Sequence, residues 1–344
     1  MTVVVASTGL DLAALGEYLR AQVPGASGEP TLVPAAGGQS NPTFFLTLGA
    51  RRLVLRKQPP GELAPSAHAI DREFRILTAL QHSAVPVPRP VLFCADRAVL
   101  GTPFYLMECV EGTVEGEAAL PGRPIEARRA LYLSAAETLG ALHALDWEAA
   151  GLDDYGRTGD YFARQLARWS RFWREQGLGG NPDLDAVIRW LETSLIPDSA
   201  ATISHGDFRF ANLIVAPDRP VVAAVIDWEL STIGHPFFDV GYFCMAYHTA
   251  PAENGGLLGL DHAALGIPYK GEFLAAYHHR AGSAAPFGTF HQIFALFRAS
   301  VGSESIAARA ARGQGTDAGS GEFGRRMGAA YARRARELIA SGEC

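Results

Sequence analysis

Residues 204–212 read Ser-His-Gly-Asp-Phe-Arg-Phe-Ala-Asn, and Ile226-Asp227-Trp228-Glu229 follows, its aspartate fifteen residues after Asn212. The flanks 212–216 (NLIVA) and 221–227 (VVAAVID) are apolar and β-branched, and Pro217-Asp218-Arg219 between them is a turn signal. Folding that hairpin is expected to bring Asp207, Asn212 and Asp227 to one end of it. Two carboxylates and an amide oxygen suit Mg²⁺, a hard ion that prefers oxygen and keeps positions open for phosphates and water. A carboxylate left off the metal can accept a hydroxyl proton.

Towards the N-terminus, residues 11–23 place Leu12, Leu15, Leu19 and Val23 on one helix face, with Asp11 as cap and Pro24-Gly25 as stop. Segments 43–48 and 52–57 read as strands joined at Gly49-Ala50, 69–81 as a helix, and 90–94 and 103–110 as further strands. The pattern predicts a small antiparallel-sheet lobe over residues 1–112. After Gly112 helical spacing dominates at 124–145, 160–176 and 183–195, and again from 236 onward apart from loops at 250–262 and 312–322. Residues 113–344 are therefore expected to form a larger, mostly helical lobe holding the short hairpin.

HGD-x-x-x-x-N followed by I-D-W-E resembles the aminoglycoside-phosphotransferase-like branch of the protein-kinase-like fold, where it stands for the HRD-x-x-x-x-N loop and the DFG metal site. The resemblance implies an α+β, two-lobed fold with a nucleotide-binding N-lobe and a C-lobe carrying the catalytic loop and the acceptor. It makes Asp207 the catalytic base and Asn212 and Asp227 the Mg²⁺ ligands. Gly37-Gly38-Gln39-Ser40-Asn41, before the first hairpin, takes the place of the loop over the ATP phosphates, although it matches neither G-x-G-x-x-G nor the Walker pattern. On the strand Leu53-Val54-Leu55-Arg56-Lys57, family register selects Arg56 to hold the α- and β-phosphates. Chemistry favours Lys57, one of only two lysines in the chain. Neighbouring strand residues face opposite ways, so one of the two does the work. Glu73 is the implied ion-pair partner. Backbone groups of Glu108 and Val110, in YLMECVEG, are the implied contacts to the adenine edge. Asp239, in GHPFFDV, corresponds to the aspartate that caps amides beneath the catalytic loop.

Composition agrees with a packed enzyme and excludes other classes. The 344 residues are 48% hydrophobic and 19% charged, enough apolar material for extended cores. A net charge of −6 speaks against nucleic-acid or anionic-membrane binding. Four scattered cysteines give no metal-ligand spacing, and no apolar run is long enough for a membrane helix, so a cytoplasmic protein is expected.

The expected activity is ATP- or GTP- and Mg²⁺-dependent phosphorylation of a small-molecule hydroxyl. Stretches such as AGGQSNPTFFL, VPVPRP and GTPFYLMECVEG resemble the subfamily fused to acyl-CoA dehydrogenases, which implies a hydroxyacyl-CoA or another anionic acceptor. Eight arginines against three acids over 298–336 point the same way. An aminoglycoside kinase and an inactive nucleotide-binding regulator are the alternatives.

Overall fold

The strand Arg51–Lys57 (β3) sits at the centre of a five-stranded antiparallel sheet whose order is β1-β2-β3-β5-β4. Its partners are β1 (Thr31–Pro34), β2 (Thr43–Leu48), β4 (Pro90–Cys94) and β5 (Phe104–Glu108). Leu53, Leu55, Phe104 and Leu106 face one side and join Leu15 and Leu19 of helix α1 (Leu12–Gln22) in a core. Helix α2 (Ile70–Leu80) follows β3, and the four-residue helix α3 (Arg97–Leu100) lies between β4 and β5. β1 has only four residues, too few for alternation to reveal it, and the sequence pattern passes over it.

The computed structural model describes residues 10–35, 41–61, 69–176, 180–198, 200–313 and 319–342. Two compact units emerge: Met1–Glu111 with Ala223–Glu229, and Gly112–Val222 with Leu230–Cys344. The division therefore assigns the segment of Asp227 to the unit that contains β3, away from its neighbours in sequence.

The second unit contains α4 (Ile125–His143), α5 (Tyr161–Gln176), α6 (Pro182–Thr193), α7 (Pro236–Cys244), α8 (Lys270–Ala281), α9 (Thr289–Ala311) and α10 (Ser320–Ser341). Short strands β6 (Thr202–Ser204) and β9 (Thr232–Gly234) pair antiparallel on either side of the segment 205–231. β7 (Leu213–Val215) follows that loop, β8 (Val222–Val225) comes after it, and Ala216 donates to the Val221 carbonyl at 3.0 Å across the intervening turn. α9 is apolar nearly all round, with Ile293, Phe294, Leu296 and Phe297 fully buried, so α5, α6, α7 and α10 all pack on it. Among the described residues no helix is long and apolar enough to cross a membrane.

Histidines packed at the start of α7 and α9 make this unit sensitive to acid. His235 and His291 stack with ring centroids 5.6 Å apart and are 1% and 7% exposed. Burial pulls both rings from the ordinary 6.5 down to about 4. In the unfolded chain they bind protons that the fold refuses, so stability is complete above about pH 6.5 and is lost as pH falls towards 4. His235 Nδ1 also accepts from the Phe237 amide at 3.3 Å as the cap of α7, a task asparagine can perform. His235→Asn should remove part of the loss seen in denaturation midpoints between pH 7.5 and 5, up to roughly 2 kcal/mol. An identical loss in parent and variant would refute the assignment.

Candidate active site

Arg56 is 12% exposed, so its guanidinium needs carboxylates close by. Glu73 of α2 supplies one, with Oε2 2.8 Å from Arg56 Nε. Asp227 Oδ1 accepts from Nη2 at 2.7 Å, and Glu229 Oε2 stands 3.6 Å away. Burial works against the arginine's charge, but these carboxylates outweigh it and raise its pKa above the ordinary value. Glu73 is 2% exposed and also accepts from Asn41 Nδ2 at 2.7 Å and from the Tyr105 hydroxyl at 3.0 Å. Burial pushes its carboxyl upward and Arg56 opposes that shift. Asp227 adopts a φ of +65°, a left-handed conformation costly for most residues but accessible to aspartate. Its bond to Arg56 helps hold it there.

Lys57 faces the opposite side of the sheet. Its ammonium donates to the Leu100 carbonyl at 3.0 Å, at the C-terminus of α3, and burial lowers its pKa. Of the two basic residues, Arg56 alone meets Glu73, because α2 covers the face that Arg56 shares with Tyr105, its cross-strand partner on β5.

In the second unit, Asp207 lies on a backbone fixed from below. Asp239 is fully buried; its Oδ2 accepts from the His205 amide at 2.7 Å and its Oδ1 from the Gly206 amide at 2.8 Å. His143 of α4 stands 3.3 Å from the same carboxylate and 2.8 Å from the Tyr277 hydroxyl. Gly206 has a φ of +86°, and a Cβ there would meet the Leu230 carbonyl at 2.7 Å, so the motif's glycine is a steric requirement. Asn212 Nδ2 donates to the Asp207 carboxylate at 2.8 Å and to its carbonyl at 2.9 Å. Tyr242 of α7 also hydrogen-bonds the carboxylate. Burial raises the Asp207 pKa, with Arg209, Tyr242, His205 and Asn212 pulling it back.

Four further residues join these two clusters: Tyr105 and Glu229 around Glu73 and Arg56 in the first unit, Arg209 and Tyr242 around Asp207 in the second. Tyr105, Glu229 and Arg209 stand inside the motifs quoted from the sequence without having been assigned a role, and Tyr242 lies outside them. Gly37, Gly38, Gln39 and Ser40 lie outside the described residues. Asn41 is fully buried on Glu73. The Glu108 side chain pairs with Arg89 and Arg51, while Val110 is half-buried.

Asn212 and Asp227, one in each unit, both carry oxygen of the kind a hard cation prefers. With the Asn212 amide nitrogen bound to Asp207, its Oδ1 is the remaining donor, and Asp227 keeps Oδ2 beside the oxygen held by Arg56. Among the described residues no three or more His, Cys, Asp or Glu form a group that could hold a metal ion. Next to the loop lies a pocket lined by Glu115, Arg209, Tyr242, Glu253, Asn254 and Tyr331, among others. Its two acids are already paired, Glu115 with Arg123 at 2.6 Å and Glu253 with Arg333 and Arg334. The arginine excess over 298–336 is thus partly internal: these two pair with Glu253, and Arg336 lies 3.4 Å from Asp183.

Residues 31–285 match the phosphotransferase enzyme family, and the chain belongs to it. Acyl-CoA dehydrogenase family member 10 of Mus musculus is 39% identical over 318 residues, covering 91% of this chain and 30% of the mouse protein. The chain therefore spans under a third of that relative. A solved structure from Ralstonia eutropha JMP134, provisionally named an aminoglycoside phosphotransferase, is 36% identical with a TM-score of 0.84, covering 95% of this chain and 99% of the other. The GDP complex of aminoglycoside 2′-phosphotransferase-IIIa, 15% identical, has a TM-score of 0.64 over 96% of this chain and 99% of its own. The fold is the α+β protein-kinase-like fold.

The clamp under the loop is open to direct test. Asp239→Ala removes the acceptor of two buried amides and should cost about 3–5 kcal/mol in urea denaturation. Asp239→Asn retains one acceptor oxygen and should cost less. A change within about 0.5 kcal/mol for alanine would show that the clamp does not hold the loop.

Proposed function

We propose that this chain is a kinase moving the γ-phosphoryl group of ATP to a hydroxyl of a small anionic acceptor, a hydroxyacyl-CoA in its sharpest form. The observation that carries the reading is Asp207, a half-buried carboxylate bonded to Asn212 on a loop anchored by Asp239. Its raised pKa suits a base that takes the acceptor's proton near neutral pH. Arg56, held by Glu73, fixes the nucleotide phosphates, with Asn41 bonded to the same Glu73. Backbone groups at Glu108 and Val110 meet the adenine edge. Asn212 and Asp227 hold Mg²⁺, which when bound supplies positive charge to the phosphate oxygens. Positioning and electrostatics carry the rate, because the protein enters no covalent intermediate.

The paired acids of the loop-side pocket favour an anionic acceptor over a polycationic aminoglycoside, since neither Glu115 nor Glu253 is left to neutralise amines. The name of the mouse relative supports an acyl-CoA in the same direction.

Asp207→Asn should lower turnover at least ~10²-fold while leaving ATP affinity near the parent's. In the parent, kcat/KM should fall as pH drops through a pKa above the usual carboxylate range, because the base must be deprotonated. Undiminished turnover in the variant would remove Asp207 from the role. Calorimetry decides the phosphate contacts: Arg56→Ala should weaken Mg·ATP binding by roughly 1.5–3 kcal/mol. Lys57→Ala should weaken it far less, and the reverse order would overturn the assignment.

A further inference from the structure

Helix α5 buries Tyr161, Phe162, Leu166 and Trp173, and turns a second face outward along a groove. Arg157, Arg164, Arg168 and Arg171 line that groove beside Trp169 and Phe172, with Glu175 as the acid in its lining. Among the described residues no carboxylate lies within ion-pairing distance of these four arginines. Arg174 on the same helix is different, for it stands 2.9 Å from Glu192. Four like charges along one groove repel one another, and an anion placed among them would relieve that repulsion. Two anchors preserve its shape. Arg164 donates to the carbonyls of Arg157 at 2.7 Å and Thr158 at 3.3 Å, which fixes its charge without neutralising it. Trp169 carries Arg298 3.4 Å above its ring, with Arg168 at 5.3 Å.

Arg298 links the groove to the reaction site. Half-buried on α9 with its guanidinium over Trp169, it feels the charges of Arg168 and of Tyr242, Tyr161 and Asp207. A molecule with its hydroxyl at Asp207 can therefore carry its phosphates towards the α5 arginines. Guanidinium forks match phosphate oxygens two at a time, whereas a single carboxylate would leave most of these donors unused.

We infer that the α5 groove is a phosphate-binding subsite for the acceptor, taking the adenosine 3′-phosphate and diphosphate of a coenzyme A thioester. The inference rests on the acyl-CoA reading of the acceptor. A second nucleoside di- or triphosphate offers the same adjacent phosphates, and the 3′-phosphate distinguishes the two sources.

Calorimetric titration of the full chain with free coenzyme A, dephospho-coenzyme A and ADP tests the subsite. Coenzyme A should bind more tightly than dephospho-coenzyme A, and Arg168→Ala/Arg171→Ala should weaken it at least about tenfold. Arg174→Ala, which lies outside the groove, should match the parent. Equal coenzyme A affinity in parent and double variant overturns the subsite, as does no binding to the parent at millimolar concentration. Full displacement of coenzyme A by equimolar ADP would make the groove a nucleotide site and overturn it too. Mg·ATP titrated into the same samples separates the two claims: binding of Mg·ATP without coenzyme A leaves the kinase reading standing and removes only the groove. Absence of Mg·ATP binding sinks the kinase reading whatever coenzyme A does.

Discussion

A fully buried carboxylate cannot be left without donors, and Asp239 obtains its own from the backbone of His205 and Gly206. This requirement joins α7 to the loop between β6 and β7, while His143 ties α4 to the same oxygens. Gly206 supplies the left-handed turn that brings both amides to one carboxylate. Asp207, the next residue, inherits a fixed position, and Asn212 and Tyr242 then settle its side chain. The polar network is expensive to bury and is almost fully paired, a combination that specifies one loop conformation over others.

A second buried charge plays the same part in the other unit. Arg56 gathers Glu73, Asp227 and Glu229 around it, and Glu73 in turn holds Asn41 and Tyr105. Asp227 keeps its unfavourable backbone angle within this cluster. Charge at both centres is organised by the protein's own groups, an arrangement that the proposed phosphoryl transfer would use.

The sequence made the chemistry more legible than its surroundings. His205 to Asn212 and Asp227 stand out in the sequence because the proposed roles require fixed residue types at fixed spacing, and the strand pattern of β3 offers two basic residues, Arg56 and Lys57. Choosing between them required knowing that α2 covers the Arg56 face and α1 the other, a tertiary fact. Tyr105 and Asn41 reach Glu73 from 32 residues away in opposite directions, a closure no local pattern encodes. The arginine count at 298–336 marked charge but not its direction. Arg333, Arg334 and Arg336 face Glu253 and Asp183, whereas Arg164, Arg168 and Arg171 line the groove on α5. β1 and β9, four and three residues long, are too short to show a period.

In the proposed reaction a phosphoryl group leaves ATP for an acceptor hydroxyl activated by Asp207. Phosphorus NMR of the protein with Mg·ATP and a panel of hydroxyl compounds tests it most directly, with hydroxyacyl-CoA thioesters, free hydroxy acids, sugars and aminoglycosides included. The account predicts a new phosphomonoester resonance growing in step with ADP for one acceptor class, and absent with Asp207→Asn. ADP accompanied only by inorganic phosphate across the whole panel, or an undiminished monoester signal with Asp207→Asn, would contradict it.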